Sequence, residues 1–156
     1  LTFVKAEIPN TVCGSGTAMT EEQIRTLLRF TRNITLIYDG DNAGQEAAQK
    51  NITALIEQGA IVRCVKLPTG EDPDSFARKM NPADLKKYLK KQEKDFASFL
   101  AELNEPHFHD PELKEKCLEE ICRLIAFLRK ESLQAFGKQK TLLMFHIPDN
   151  SPYFGL

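Results

Sequence analysis

The sequence predicts an α/β fold: a partly parallel sheet flanked by helices, followed by a mostly helical C-terminal segment. Three observations predict it. Ile34–Tyr38 and Ala60–Leu67 are compact apolar runs rich in β-branched residues and too short for helices. The stretch 43–58 between them has helical character, with Ala47, Ala48, Ile52, Leu55 and Ile56 recurring. After Lys91 no strong strand signal remains. A strand–helix–strand unit implies parallel strands joined by a right-handed crossover. Such a sheet collects its working groups in the loops at the carboxyl ends of its strands.

The elements follow in order. Leu1–Ala6 is short and apolar, and reads as the end of a helix. Thr11-Val12-Cys13 is expected as a short strand, followed by the turn Gly14-Ser15-Gly16. Thr20-Glu21-Glu22-Gln23 is a capping box, in which Thr20 caps the Gln23 amide and Gln23 reaches back. The helix it opens carries Ile24, Leu27, Leu28 and Phe30 on one face. The first strand stops at Asp39-Gly40-Asp41, and Gly59 closes the helix that follows. Pro68-Thr69-Gly70 breaks the second strand. Asp72-Pro73 then opens a helix with Asp as N-cap and Pro at the first position, a device repeated at Asn81-Pro82 and Asp110-Pro111. Phe96, Phe99, Leu100 and Leu103 mark a short helix; Leu113, Cys117, Ile121, Leu124, Ile125 and Leu128 mark a longer one. Glu105-Pro106-His107 is the loop between them. Thr141–His146 is apolar and ambiguous, and 151–156 reads as a tail. The expected division is an α/β unit over 1–92 and a helical subdomain or tail over 93–156.

Composition narrows the function. The 156 residues are 42% hydrophobic and 28% charged, an ordinary globular balance. Lys+Arg number 21 against 22 Asp+Glu, so a strongly basic wrapper of nucleic acid is excluded while a local basic face is not. No apolar run approaches the roughly 18 residues of a membrane span. Cys13, Cys64, Cys117 and Cys122 lie far apart, which suits free thiols in a reducing, cytoplasmic setting. The chain starts at Leu1 and its first methionine is Met19, so it is expected to be a piece of a longer polypeptide.

The chemistry lies in the acids. Asp39 and Asp41 follow the first strand; Asp72 and Asp74 follow the second. Parallel neighbouring strands gather all four carboxylates at one edge, where mutual repulsion favours protonation or a cation. Mg²⁺ takes oxygen ligands, keeps waters and binds substrate phosphates, so such a cluster suits phosphoryl or nucleotidyl transfer. Taken singly, each aspartate reads as a turn or cap residue ahead of a catalytic one; the pair of acidic loops, each after a strand of the same unit, shifts the balance.

Tyr38-Asp39-Gly40-Asp41-Asn42-Ala43-Gly44-Gln45-Glu46-Ala47-Ala48 resembles the acidic DxD motif of TOPRIM domains in their bacterial DnaG-type primase form. Leu67-Pro68-Thr69-Gly70-Glu71-Asp72-Pro73-Asp74-Ser75-Phe76 is similar to that family's second acidic motif, and Ser15-Gly16-Thr17-Ala18-Met19-Thr20 matches its pattern before the helix. The resemblance covers roughly residues 8 to 90. It implies a TOPRIM-like fold, with 1–92 a partial catalytic domain, and a DNA primase: a DNA-directed RNA polymerase laying down RNA primers by metal-dependent nucleotidyl transfer. Asp39 and Asp41 are implied as catalytic, and Asp39, Asp41, Asp72 and Asp74 as ligands of Mg²⁺ or Mn²⁺. One ion would favour attack by the primer 3′-hydroxyl, the other would stabilise the departing pyrophosphate. Zinc is implied only for an N-terminal module outside this segment. The implied partners are a single-stranded DNA template, ribonucleoside triphosphates, the RNA primer and a replicative helicase in a primosome, with no membrane. The family's essential glutamate, in an EGYxD-like strand, is expected just upstream of Leu1. Glu7 does not replace it, so this segment alone is expected not to make primers.

Weaker signals have plainer readings. Lys86, Lys87, Lys90, Lys91 and Lys94 recur at helical spacing and read as an exposed face, with phosphate contact the alternative. Arg63, Lys66, Arg78 and Lys79 lie near the acidic loops in sequence. His107 and His109 with Cys117 and Cys122 match no standard zinc spacing. The alternatives to a primase are another TOPRIM enzyme, a nuclease or topoisomerase, and a non-catalytic nucleic-acid-binding module. Tyr38, Tyr88 and Tyr153 lack the context of a topoisomerase nucleophile.

Overall fold

The computed structural model describes residues 2–14, 18–39, 42–128 and 130–147. Helix α1 (Thr2–Lys5) is followed by an irregular segment and α2 (Glu21–Leu28). Strand β1 (Asn33–Tyr38), helix α3 (Asn42–Glu57) and strand β2 (Ile61–Lys66) form the expected unit. Next come α4 (Pro73–Arg78), α5 (Pro82–Gln92), β3 (Lys94–Asp95) and α6 (Phe96–Asn104). A 3₁₀ turn (Glu105–His107), α7 (Pro111–Ala126) and α8 (Glu131–Phe145) complete the described chain.

The sheet has strand order β1-β2-β3. β1 and β2 are parallel, in register from Asn33↔Ile61 to Tyr38↔Lys66. β3 runs antiparallel to β2, pairing Asp95 with Arg63 and Lys94 with Cys64. Two apolar clusters sit on this frame. The larger joins Ile24, Ile52, Leu55 and Val62 to Phe99, Leu100, Ile121 and Leu124. The smaller gathers Phe3, Val65, Leu67, Phe76 and Leu85, so α1, α4 and α5 pack beneath the end of β2.

Local chemistry accounts for the boundaries. Thr20 Oγ1 accepts from the Gln23 amide at 3.3 Å, and Gln23 Oε1 accepts from the Thr20 amide at 2.9 Å, closing the capping box at α2. Asn81 and Asp110 cap α5 and α7 with Pro at the start of each helix. Gly59, at φ 84°, ends α3.

Several expectations are corrected. Residues 11–14 form no strand, and Val12 is 71% exposed: no described strand offers the segment a partner. Phe30 is 85% exposed, because α2 ends at Leu28 and carries it off the apolar face. Residues 94–95 pair with β2 despite their charge. Thr141–Phe145 belongs to α8. Leu1, the Ser15-Gly16-Thr17 turn, Gly40, Asp41 and the 151–156 tail with Tyr153 lie outside the described residues.

Candidate functional site

The parallel register decides where the acidic loops go. Tyr38 stands opposite Lys66, and the Leu67 amide donates to the Tyr38 carbonyl at 3.3 Å. Asp39 leaves β1, and the segment 67–74 leaves β2, from the same end of the sheet. Asp39 is half-buried there. The position of Asp41 falls outside the described residues.

The second loop is more engaged than its sequence suggests. Asp72 is the N-cap of α4, its Oδ1 accepting from the Asp74 amide at 2.8 Å and the Ser75 amide at 2.9 Å. The Ser75 amide and hydroxyl, with the Asp74 amide, hold its carboxyl below the usual range. Asp74 accepts from the Thr2 hydroxyl at Oδ1, and its Oδ2 meets Arg78 Nε at 2.8 Å. Thr2 first, then Arg78, keep Asp74 anionic as well. Glu71 pairs with Lys79 and accepts from Ser75 Oγ at 3.1 Å, and its carboxyl is lowered chiefly by Lys79. The loop thus presents solvent-facing carboxylates that stay charged and are already ordered by local donors.

A buried brace fixes the other side. Asn51, 5% exposed on α3, accepts from the Met19 amide at 2.7 Å and donates to the Tyr38 hydroxyl at 2.9 Å. Burial raises the Tyr38 hydroxyl to about 12, so it remains a neutral partner in this bridge. Asn51 therefore ties the segment entering α2 to the residue before Asp39. Sequence reasoning passed over Asn51 and Thr2; the small polar residue inside the apolar stripe of α3 was the available signal for the first.

The weaker signals separate. Lys86 pairs with Glu7, Lys90 with Glu93 and Lys94 with Glu102, whereas Lys87 and Lys91 are exposed. Arg63 joins Glu93 at 3.1 Å. His109 Nδ1 lies 3.0 Å from the Pro106 carbonyl. Cys64 is fully buried and its thiol is pushed far up by desolvation, which leaves it no role as a nucleophile. Among the described residues, no three His, Cys, Asp or Glu side chains are grouped to hold a metal ion, and no helix is long and apolar enough to cross a membrane.

Comparison with known proteins matches this geometry to a family. Residues 1–77 match the Toprim-like family. A DNA primase of Staphylococcus aureus is 32% identical over 152 residues, covering 97% of this chain and 24% of the relative. Among solved structures, the E. coli primase catalytic core aligns with a TM-score of 0.77 at 26% identity, over 96% of this chain and 49% of that one. A DnaG primase catalytic domain bound to single-stranded DNA aligns with a TM-score of 0.76 at 27% identity, over 95% and 48%. The chain spans a quarter or less of the curated relatives' length, 20% and 24% for two staphylococcal primases.

Proposed function

This chain belongs to the Toprim-like family of DnaG-type primases, and from that premise we propose that it forms the metal-binding part of a primase catalytic core. The whole protein would join ribonucleotides into RNA primers on a single-stranded DNA template in the cytoplasm, beside a replicative helicase. The proposed reaction forms a bond between a 3′-oxygen and an α-phosphorus while the α–β phosphoanhydride bond breaks and pyrophosphate leaves.

The observation that carries the reading is the register of β1 on β2, which sends the turn after Tyr38 and the turn after Lys66 to one rim. Asp39 and Asp41 are proposed as catalytic residues, and with Asp72 and Asp74 as the oxygen donors for Mg²⁺ or Mn²⁺. The donor set fits hard cations: the carboxylates of Asp72 and Asp74 are exposed and held in their charged form. A divalent ion bound there would offset charge on the triphosphate during nucleotidyl transfer. Asp72 keeps its position through the α4 amides, which donate to its Oδ1, and the residue is exposed. Asp74 must exchange Arg78 for the ion, a change of low cost because both side chains are solvated, at 70% and 56% exposure, and such pairs are weak. Arg78, once released, stands beside the rim as a cation for phosphate. The glutamate-bearing strand is proposed to add to β1, which is an edge strand of the described sheet. Residues 93–156 are proposed as the helical subdomain supporting this α/β unit.

Mn²⁺ binding followed by electron paramagnetic resonance tests the assignment. Asp39→Asn with Asp41→Asn should abolish the bound signal and leave the thermal transition nearly unchanged. Equal Mn²⁺ binding by parent and variant would remove the metal site from this rim.

A further inference from the structure

Two polar side chains are buried among the described residues, Asn51 and Thr141. Thr141 is satisfied within its own helix, donating to the Gly137 carbonyl at 2.8 Å. Asn51 is not: both its partners belong to other parts of the chain. It stands on the face of α3 that carries Ala48, Ile52 and Leu55, all fully buried. Packing there asks only for an apolar group, and leucine or alanine would favour the helix more. Burying an amide is unfavourable unless its groups are bonded. What asparagine adds at this position is the pair of bonds.

The bonds fix the direction of the side chain. A backbone amide only donates, so Asn51 Oδ1 faces Met19 at 2.7 Å, and Nδ2 faces the Tyr38 hydroxyl at 2.9 Å. Met19 precedes Thr20, the cap of α2. Ile34, Leu36 and Tyr38 alternate along β1 onto the apolar cluster that α3 shares, so packing holds the Tyr38 ring and Asn51 holds its tip. Tyr38 is also held through its carbonyl, which accepts from the Leu67 amide at 3.3 Å where the 67–74 loop begins. One buried amide therefore joins the entry of α2, the middle of α3 and the last residue of β1, and that residue joins the second acidic loop.

The next residue is Asp39. Mg²⁺ accepts only a narrow, near-octahedral arrangement of oxygens, so the end of β1 must not shift against the loop beside it. Groups that orient metal ligands without touching the metal commonly change its affinity by about 10–100-fold. We infer that Asn51 is a positioning residue for the acidic rim: through the Tyr38 hydroxyl it fixes the end of β1, and with it Asp39, relative to the loop that supplies the other oxygen donors for a divalent cation. This role rests on the metal-binding reading and adds to it a residue that touches neither cation nor substrate.

The test titrates Mn²⁺ into the full 156-residue chain and its variants by electron paramagnetic resonance, at a temperature where circular dichroism shows each one folded. Tyr38→Phe deletes one hydroxyl; Asn51→Leu keeps the volume and deletes both bonds. Each should weaken Mn²⁺ binding about ten-fold. The double variant should lose no more than either single one, since the bridge breaks only once. Stability should follow a different pattern: the double variant sets apolar against apolar and should melt higher than the two single losses add up to. Thr141→Val, which removes a buried hydroxyl bond in α8, should lower the melting temperature and leave Mn²⁺ binding unchanged. Parent-like Mn²⁺ affinity in Tyr38→Phe and Asn51→Leu, with lowered melting temperatures, makes the bridge a brace for folding only and overturns the inference. So does a ten-fold loss in Thr141→Val, which would make affinity a report of stability alone. A loss of about a hundred-fold in the double variant also overturns it, since the two side chains would then act by separate routes. If Asn51→Leu does not fold, Tyr38→Phe against Thr141→Val decides. A parent that binds no Mn²⁺ removes the metal site and this role together; a parent that binds, with both bridge variants unchanged, removes the role and leaves the metal site.

Discussion

Removal of the Asp95 carboxylate probes how the helical segment is fastened to the sheet. Asp95 ends β3 and caps α6, accepting from the Ser98 amide and the Ser98 hydroxyl, each at 2.9 Å. Lys140 of α8 pairs with the same carboxylate, and the two side chains are 34% and 30% exposed. Loss of an N-cap costs about 1 kcal/mol, and a partly solvated ion pair contributes at most about 1 kcal/mol. Asp95→Ala should therefore destabilise by about 2 kcal/mol. Asp95→Asn keeps a capping oxygen and should lose only the ion-pair part, about 1 kcal/mol or less. For a chain of this size the alanine variant should melt about 4–8 °C lower. Urea unfolding followed by circular dichroism measures both variants and Lys140→Ala, and the double variant with Asp95→Asn isolates the coupling. Burial pushes the Asp95 carboxyl up, but Lys140 and the Ser98 donors outweigh it and hold it below the ordinary range. Its stabilising contribution is then complete above the unfolded value of about 3.9 and declines as pH falls through the lower folded value. The gap between parent and Asp95→Asn should close only in that acid range. Equal losses for alanine and asparagine would refute the capping role, and additive single losses at neutral pH would refute the ion pair.

Thr20→Ala should cost about 1 kcal/mol by opening the α2 capping box, while Thr20→Ser should cost little in the same denaturation assay. Gly70→Ala meets no atom within 4 Å, yet it places a side chain at φ +83°, so it should destabilise by about 1 kcal/mol through backbone strain alone; a neutral result would show that the loop turns differently. At neutral pH iodoacetamide should label exposed Cys13 first, since Cys64 is sealed in the core and burial raises the Cys117 and Cys122 thiols to about 11. Peptide mass spectrometry reads the order, and early labelling of Cys64 would contradict the packing.

What could be read from the sequence follows from what each element uses to hold itself. β1, α3 and β2 declare themselves by apolar period, because Ile52, Leu55, Val62 and Cys64 must reach one core. β3 could not, since Lys94 and Asp95 carry no apolar pattern and stand by backbone pairing with β2 and by the Lys140 and Ser98 contacts. Thr141 blurred the last helix for a similar reason: a hydroxyl in a fully buried position is acceptable there because it donates to the Gly137 carbonyl at 2.8 Å. The positions of Asp39, Asp72 and Asp74 after β1 and β2 were legible. Their partners were not, because Thr2 reaches Asp74 across 72 positions of sequence and Asn51 reaches Met19 across 32. Such contacts depend on how helices dock, which spacing along one element does not encode.

The docking of α6 bears on the proposed division at residue 92. Phe96, Phe99 and Leu100 are buried with Ile52, Leu55 and Val62 in one cluster. Each large apolar side chain so buried contributes about 1.5–3 kcal/mol, so these three from α6 alone represent about 5–9 kcal/mol. Whole domains are stable by only about 5–15 kcal/mol. A chain ended at Gln92 would also lose β3 and bare the edge of β2. The expected result for such a truncated protein is a non-cooperative melt and a poorly dispersed proton spectrum, with residues 93–156 acting as part of the folding unit whatever separate task they perform. A sharp transition and a dispersed spectrum from residues 1–92 would show instead that the α/β unit folds alone, and that the apolar surface it presents to α6 is a docking face between independent domains.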